Sequence, residues 1–223
     1  MFEMIAFDVA GTTVMDDGLV IRAFEKAFSF AVPEQWQDRR EELTQYALDT
    51  MGQSKIEVFT AMLGRADLAQ KANVAFEAAY YDLVLTEGVT EIPGARAAIE
   101  KLRAAGIPVG LTTGFSRSTL DAIVKSLGWA DILDATVVPG EVGAGRPSPL
   151  MLQKEAALLG ATNPENCVIV GDTISDMEAG VAFGAGVRVG VLSGAHDAAA
   201  LGAAGATLIL DSVAALPAAL LGH

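Results

Sequence analysis

A handful of residues could do chemistry if the fold brings them together. Asp8 closes the apolar run MIAF and is followed at once by the turn Gly11-Thr12-Thr13. Thr112 and Thr113 follow PVGL, Arg146 follows VVPGEVGAG, and Asp172 and Asp176 follow CVIVG. Asp172 and Asp176 stand four apart, so one turn or first helical turn can present both on one side. Three clustered carboxylates repel one another and call for a hard cation between them, and an all-oxygen set favours Mg²⁺. Arg146 can bind a phosphoryl oxygen, and Thr113 can donate a hydrogen bond to it. Taken singly, each residue has an ordinary explanation. An Asp before Gly-Thr is turn chemistry, and Asp172 or Asp176 alone is a helix-cap or first-turn acid. Their common placement after strand-like runs is the stronger signal, because ligands of an open parallel sheet sit beyond the carboxyl ends of its strands.

The elements that must position these residues are legible in the periodicity. From Pro93 onward, short β-rich runs alternate with amphipathic stretches. GARAAIEKLRAAG reads as a helix stopped by Gly106, and SRSTLDAIVKSLG as a helix capped by its first Ser and ended by Gly128. SPLMLQKEAALLG predicts Ser148 as N-cap with Pro149 at the first helical position. IPVGLTTG, DATVVPG, CVIVGDT, VRVGVLSG and ATLILD read as strands, with SDMEAGVAFGAG a helix between two of them. Alternation of this kind predicts an α/β fold, a doubly wound, Rossmann-like parallel sheet with helices on both faces. Between about Val20 and Leu85 strand signals fade and four or five helices are expected. The organisation is then a core of residues 1–15 and 88–223, with a helical cap of residues 16–87 inserted after the first strand.

DVAGTT, LTTG, GRPSP and GDTISDM together resemble the four motifs of the haloacid dehalogenase (HAD) superfamily, and the resemblance covers essentially the whole chain. It implies that Asp8 is the nucleophile that takes up a phosphoryl group. Thr12, Thr113, Gly114 and Arg146 would bind that group. Mg²⁺ would be held by Asp8, the backbone carbonyl of Ala10 and Asp172, with Asp176 helping through water or by orienting its neighbours.

Phosphatases of this superfamily carry Asp where this chain has Ala10. That second Asp protonates an alcohol leaving group and then activates water. Losing such a general acid is worth ~10²–10⁴-fold, so a phosphate monoester is a poor substrate on chemical grounds. Asp-x-Ala-Gly-Thr-Thr, with Arg in place of Lys in the third motif, resembles the phosphonatase (phosphonoacetaldehyde hydrolase) branch. MGQSKIEVF is similar to that branch's cap motif, which places a Schiff-base lysine at Lys55 and brings Met51 to the reacting centre. The lysine makes chemical sense by itself. A carbanion is a poor leaving group, and an iminium on a neighbouring aldehyde carbon is an electron sink. Such an amine must be partly neutral, so it should be desolvated or near another cation. Met51, Lys55 and Phe59 are spaced to form one stripe of a helix; the plain alternative is a lysine snorkelling from an apolar face. Two positions depart from the branch. Val58 stands where a histidine is expected, and Phe115 where a tyrosine is expected. The only histidines are His196 and His223, neither in the cap. Water, the substrate phosphonate or Glu57 would then carry the proton.

Composition narrows the partners. The chain has 223 residues, 52% of them hydrophobic, and a formal charge of −13. A core of this size is ample, and without a basic cluster neither nucleic acid nor anionic membrane is an expected partner. The single cysteine, Cys167, allows no intrachain disulfide and reads as a small core residue. The N-terminal stretch lacks the basic region of a signal peptide, and the expected location is cytoplasmic. The expected substrate is a small phosphonate or phosphate ester, and the resemblance implies a homodimer through the cap. Two other functions stay open at this point: a phosphatase of small esters such as phosphoglycolate, and a non-catalytic protein that keeps the phosphate pocket.

Overall fold

The computed structural model describes residues 2–222; His223 lies outside them. Six parallel strands form one sheet in the order β3-β2-β1-β4-β5-β6, built from Met4–Phe7 (β1), Val109–Thr112 (β2), Ala135–Val137 (β3), Cys167–Gly171 (β4), Val187–Val191 (β5) and Leu208–Leu210 (β6). This is the doubly wound order, and its direction reverses at β1. The central strands β1, β2 and β4 are buried along their whole length. A continuous apolar run is what a strand covered on both faces requires. The register pairs Ile5 with Val109 and with Val168, so the carboxyl ends of β1, β2 and β4 come out side by side.

The chain after β1 leaves the sheet and forms four helices before returning: Leu19–Ala31 (α1), Pro33–Asp49 (α2), Lys55–Leu63 (α3) and Ala66–Glu87 (α4). α2 bends at Arg39, whose φ of −124° is not helical. The remaining helices are Ala95–Ala104 (α5), Arg117–Leu127 (α6), Leu150–Leu159 (α7), Ile174–Phe183 (α8), Ala198–Ala203 (α9) and Leu216–Leu221 (α10). The insertion has an aromatic heart. Phe24 and Phe76 lie 4.8 Å apart between ring centroids, Phe24 and Phe59 5.0 Å, and Phe28 and Phe59 5.3 Å. Each such pair adds ~0.5–1.5 kcal/mol beyond the apolar area it buries. The insertion is also tied to the sheet domain by Glu77 of α4, which accepts hydrogen bonds from the Ser116 amide (3.2 Å) and from Thr119 Oγ1 (2.8 Å) at the start of α6.

Three local expectations shift. α7 begins at Leu150 with Pro149 as its N-cap residue, one position later than Ser148 predicts, although Ser148 Oγ still accepts from the Leu150 amide at 3.4 Å. Met51 does not share a helical stripe with Lys55 and Phe59. α3 starts at Lys55, and Met51 sits in the turn before it, where Gly52 has a φ of +85° that stops α2 continuing into α3. α9, capped by Asp197 through the Ala200 amide, lies in a stretch whose Ala and Gly content hides its periodicity. No helix among the described residues is long and apolar enough to cross a membrane.

Candidate active site

The carboxyl ends of β1, β2 and β4 deliver the expected residues to one place. The Asp8 amide still bonds the Val170 carbonyl (2.8 Å), so the backbone holds sheet geometry up to the residue that projects from it. Thr13 Oγ1 donates to the Asp8 carbonyl at 2.9 Å and pins the turn beneath. Asp8, Asp172 and Asp176 are all buried and each offers an oxygen within 4.8 Å of the others. Arg146 is buried against them. Its Nη2 lies 2.5 Å from Asp8 Oδ1, and its Nη1 pairs with Asp176 Oδ1.

The two acids after β4 are held differently. Asp172 accepts from Thr12 Oγ1 at 2.9 Å and from the Ala195 amide at 2.8 Å. Burial, and then the Asp8 carboxylate beside it, push the Asp172 carboxyl up to about 7. That frustration is what a cation among the three carboxylates would relieve. Asp176 closes a capping box at the start of α8: its Oδ2 accepts from the Thr173 amide (3.1 Å) and hydroxyl (2.5 Å), while the Thr173 hydroxyl accepts from the Asp176 amide. One carboxylate thus fixes the helix and braces Arg146.

Close approach dictates several glycines here. A Cβ on Gly11 or Gly194 would strike the Asp172 carboxylate, so these two glycines leave that group its space. Across the site, a Cβ on Gly145 would strike Ser54, and one on Gly114 would come within 2.7 Å of the Gln53 carbonyl. The turn before α3 is therefore packed directly on the loops that carry Thr113 and Arg146.

Lys55 is brought into this site from the insertion. It is 5% exposed, at the first position of α3. With Asp8, Ala10, Met51, Gly52, Thr113, Gly114 and Arg146, it lines a small cavity of about 20 Å³. Its Nζ lies 5.5 Å from the Phe24 ring centroid and 5.9 Å from that of Phe76, and it makes no hydrogen bond among the described residues. Burial, and then Arg146, lower the amine to about 8 against the opposing pull of Asp16, Asp8 and Glu77. Val58 is buried in the aromatic core rather than turned to the cavity's polar groups, and Glu57 is exposed and outside the cavity lining. Phe115 packs on Tyr80, with centroids 4.4 Å apart, and the Tyr80 hydroxyl is buried without a partner. Cys167 is buried, with its thiol pushed up to about 11 by burial, as suits an unreactive core residue.

Two nearby groups carry no motif signal. Asp16, on the segment between β1 and α1, accepts from the Val20 amide in the first turn of α1 at 3.0 Å. Ala195, whose amide holds Asp172, follows the Ser193-Gly194 pair after β5; a glycine just past a strand is the one local hint of it.

Residues 2–184 match the haloacid dehalogenase-like hydrolase family, and the chain belongs to that family. Within it the chain falls in the phosphonatase-like branch. It is 32% identical over 214 residues to the phosphonoacetaldehyde hydrolase of Bacillus cereus, a match covering 87% of this chain and 77% of that one. A solved phosphonoacetaldehyde hydrolase-like protein from Oleispira antarctica is 25% identical with a TM-score of 0.80, covering 99% of this chain and 92% of that one. The fold alone is shared with a proposed phosphoglycolate phosphatase from Lactobacillus delbrueckii, at 19% identity and a TM-score of 0.81 over 100% of this chain and 99% of that one. The protein is therefore a hydrolase enzyme.

Proposed function

We propose that this enzyme hydrolyses the carbon–phosphorus bond of phosphonoacetaldehyde or a close aldehyde analogue, through an imine on Lys55 and a phosphoryl group on Asp8. One observation carries the reading: a buried amine lowered to about 8 shares a cavity with Asp8 and Arg146, while Ala10 stands where an ester hydrolase needs its acid. The neutral Lys55 amine adds to the aldehyde, and loss of water leaves an iminium. Asp8 then attacks phosphorus, and the C–P electron pair collapses into an enamine rather than a free carbanion. Protonation and hydration of the enamine release acetaldehyde and the lysine, and water cleaves the aspartyl phosphate. Arg146, Thr113, Gly114 and Thr12 form the phosphoryl-binding side, and Met51 packs beside the reacting carbon. The three clustered carboxylates, each offering an oxygen within 4.8 Å of the others, fit a small hard cation. Mg²⁺, held by Asp8, the Ala10 carbonyl and Asp172 with Asp176 in support, would neutralise charge on the phosphoryl group.

A cavity of about 20 Å³ holds roughly one water, so the turn at Met51–Ser54 and the core loops must part to admit a substrate. We take residues 16–87 to move as that cap. Of the large exposed apolar side chains, Phe30, Tyr46, Leu48, Val74, Tyr81 and Leu85 belong to it and Leu150, Leu158, Val181 and Leu192 to the sheet domain; the first group supports the homodimer of the same reading.

The test is phosphate release with Mg²⁺ from phosphonoacetaldehyde, wild type beside Lys55→Arg. The control is p-nitrophenyl phosphate, whose leaving group needs no proton. The expected result is phosphate from the phosphonate in the wild type alone. If only the ester is cleaved, equally by both proteins, an ester phosphatase replaces this reading.

A further inference from the structure

The imine chemistry leaves one step without a carrier. Dehydrating the carbinolamine on Lys55 requires a proton on its oxygen. The charged groups around the amine are Arg146, Asp16, Asp8 and Glu77. Arg146 does not give up its proton. Asp8 is paired with Arg146 and is the nucleophile. Glu77 is committed at the start of α6, to the Ser116 amide through both oxygens and to the Thr119 hydroxyl. Glu57 is exposed and Val58 has no proton to give.

Asp16 differs from all of these. Its Oδ1 accepts from the Val20 amide at 3.0 Å, and its Oδ2 has no hydrogen bond among the described residues. It lines an open cleft of about 580 Å³ together with Ala10 and Met51. Ala10 and Met51 also line the small cavity that contains Lys55 and Asp8, and so does Val20, whose amide donates to Asp16. Asp16 thus stands on the cleft side of residues that also wall the amine, while Lys55 and Glu77 line a second pocket of about 160 Å³ on the other side. Burial pushes its carboxyl above the usual range. The Val20 amide and Lys55 pull it back, and Asp17 and Asp8 add to the rise. A carboxyl whose charged form is disfavoured in this way is a better proton donor than a fully solvated one.

We propose that Asp16 is the acid–base residue of the imine cycle, an assignment that rests on the Lys55 imine reading above. Its O–H protonates the carbinolamine oxygen as the C–O bond breaks. Water leaves, and the nitrogen lone pair closes the C=N bond. The resulting carboxylate later takes a proton from the water that adds to the product iminium, which restores the acid. The cleft supplies and removes those waters.

The experiment is borohydride trapping with phosphonoacetaldehyde, read as the rate of mass gain at Lys55, in wild type, Asp16→Asn, Asp16→Ala and Asp16→Glu. Asn keeps an oxygen for the Val20 amide, so a purely structural role predicts wild-type trapping in Asp16→Asn and loss only in Asp16→Ala. A proton role predicts that Asn and Ala are slowed alike, by about 10²-fold or more, and that Glu recovers part of the rate. Trapping of Asp16→Asn at the wild-type rate overturns the assignment alone. No adduct in the wild type removes the imine reading, and this assignment with it.

Discussion

The sheet-edge loops and the insertion helix that faces them treat charge in opposite ways. At the edge, Asp8, Arg146, Asp172 and Asp176 are buried and held by two ion pairs to Arg146 and bonds from Thr12, Ala195 and Thr173. On the insertion, Lys55 is equally buried, but two aromatic rings wall it and no hydrogen bond holds it. The edge orients its groups through paired charges and backbone amides, and only Asp172, pushed up to about 7, is left strained. The insertion weakens its charge, as a nucleophilic amine requires. One site thus needs two kinds of burial, and a helical insertion provides the second kind without disturbing the first.

This contrast can be broken from the edge side. If the core lacks only an acid for ester chemistry, Ala10→Asp should raise hydrolysis of phosphoglycolate, an alkyl ester with a poor leaving group, by about 10²-fold or more. The gain should be much smaller with p-nitrophenyl phosphate. Steady-state rates on the two esters check it, and an unchanged phosphoglycolate rate means that position 10 is not where the acid belongs.

A smaller effect sharpens it from the insertion side. Because Lys55 sits at about 8 and must be neutral to add to an aldehyde, phosphate release from phosphonoacetaldehyde should climb with pH and level off above that value. Below it the neutral fraction falls about tenfold per pH unit. The p-nitrophenyl phosphate rate, which does not use the amine, should lack this limb. Identical profiles for the two substrates would detach Lys55 from the chemistry.

The smallest effect concerns Glu155, a third kind of burial. This carboxyl of α7 is fully buried with neither oxygen hydrogen-bonded, in space that Gly110 of β2 leaves open. Burial holds it well above the usual range, with Arg146 pulling the other way. The folded protein therefore keeps a proton that the unfolded chain gives up. The stability this contributes is present at low pH and is lost as pH rises through the folded value. Glu155→Gln does not titrate, so its melting temperature should move in its favour relative to wild type between about pH 5 and about pH 8. A constant difference across that range would show that Glu155 is not neutral in the fold.

Much of this was legible in sequence for a simple reason. Strand β1 is a short apolar run ending in Asp8, and α6 carries its own Ser116 cap and Gly128 stop, so neighbours a few residues away specify each element. The motif acids were legible because Asp8 and Asp172 stand directly after strands and Asp176 in the first turn of the helix that follows. The α7 start and the Met51 stripe were misread for the opposite reason. Pro149 and Gly52 are turn residues whose conformations depend on what they pack against, and a Cβ on Gly52 would meet Thr173, more than a hundred positions away. Asp16 was invisible because nothing local separates a linker acid from a site acid.

The amino-acid sequence by itself determined the order of strands and helices, the residues at the strand ends and the gap at position 10. Tertiary structure alone decided that Arg146 braces both Asp8 and Asp176, that the Phe24 and Phe76 rings lie against Lys55, and that Asp16 lines a cleft with Ala10 and Met51. Periodicity and capping act over a turn or two of chain. Desolvation and ion pairing act through space, between residues that only the closed fold makes neighbours.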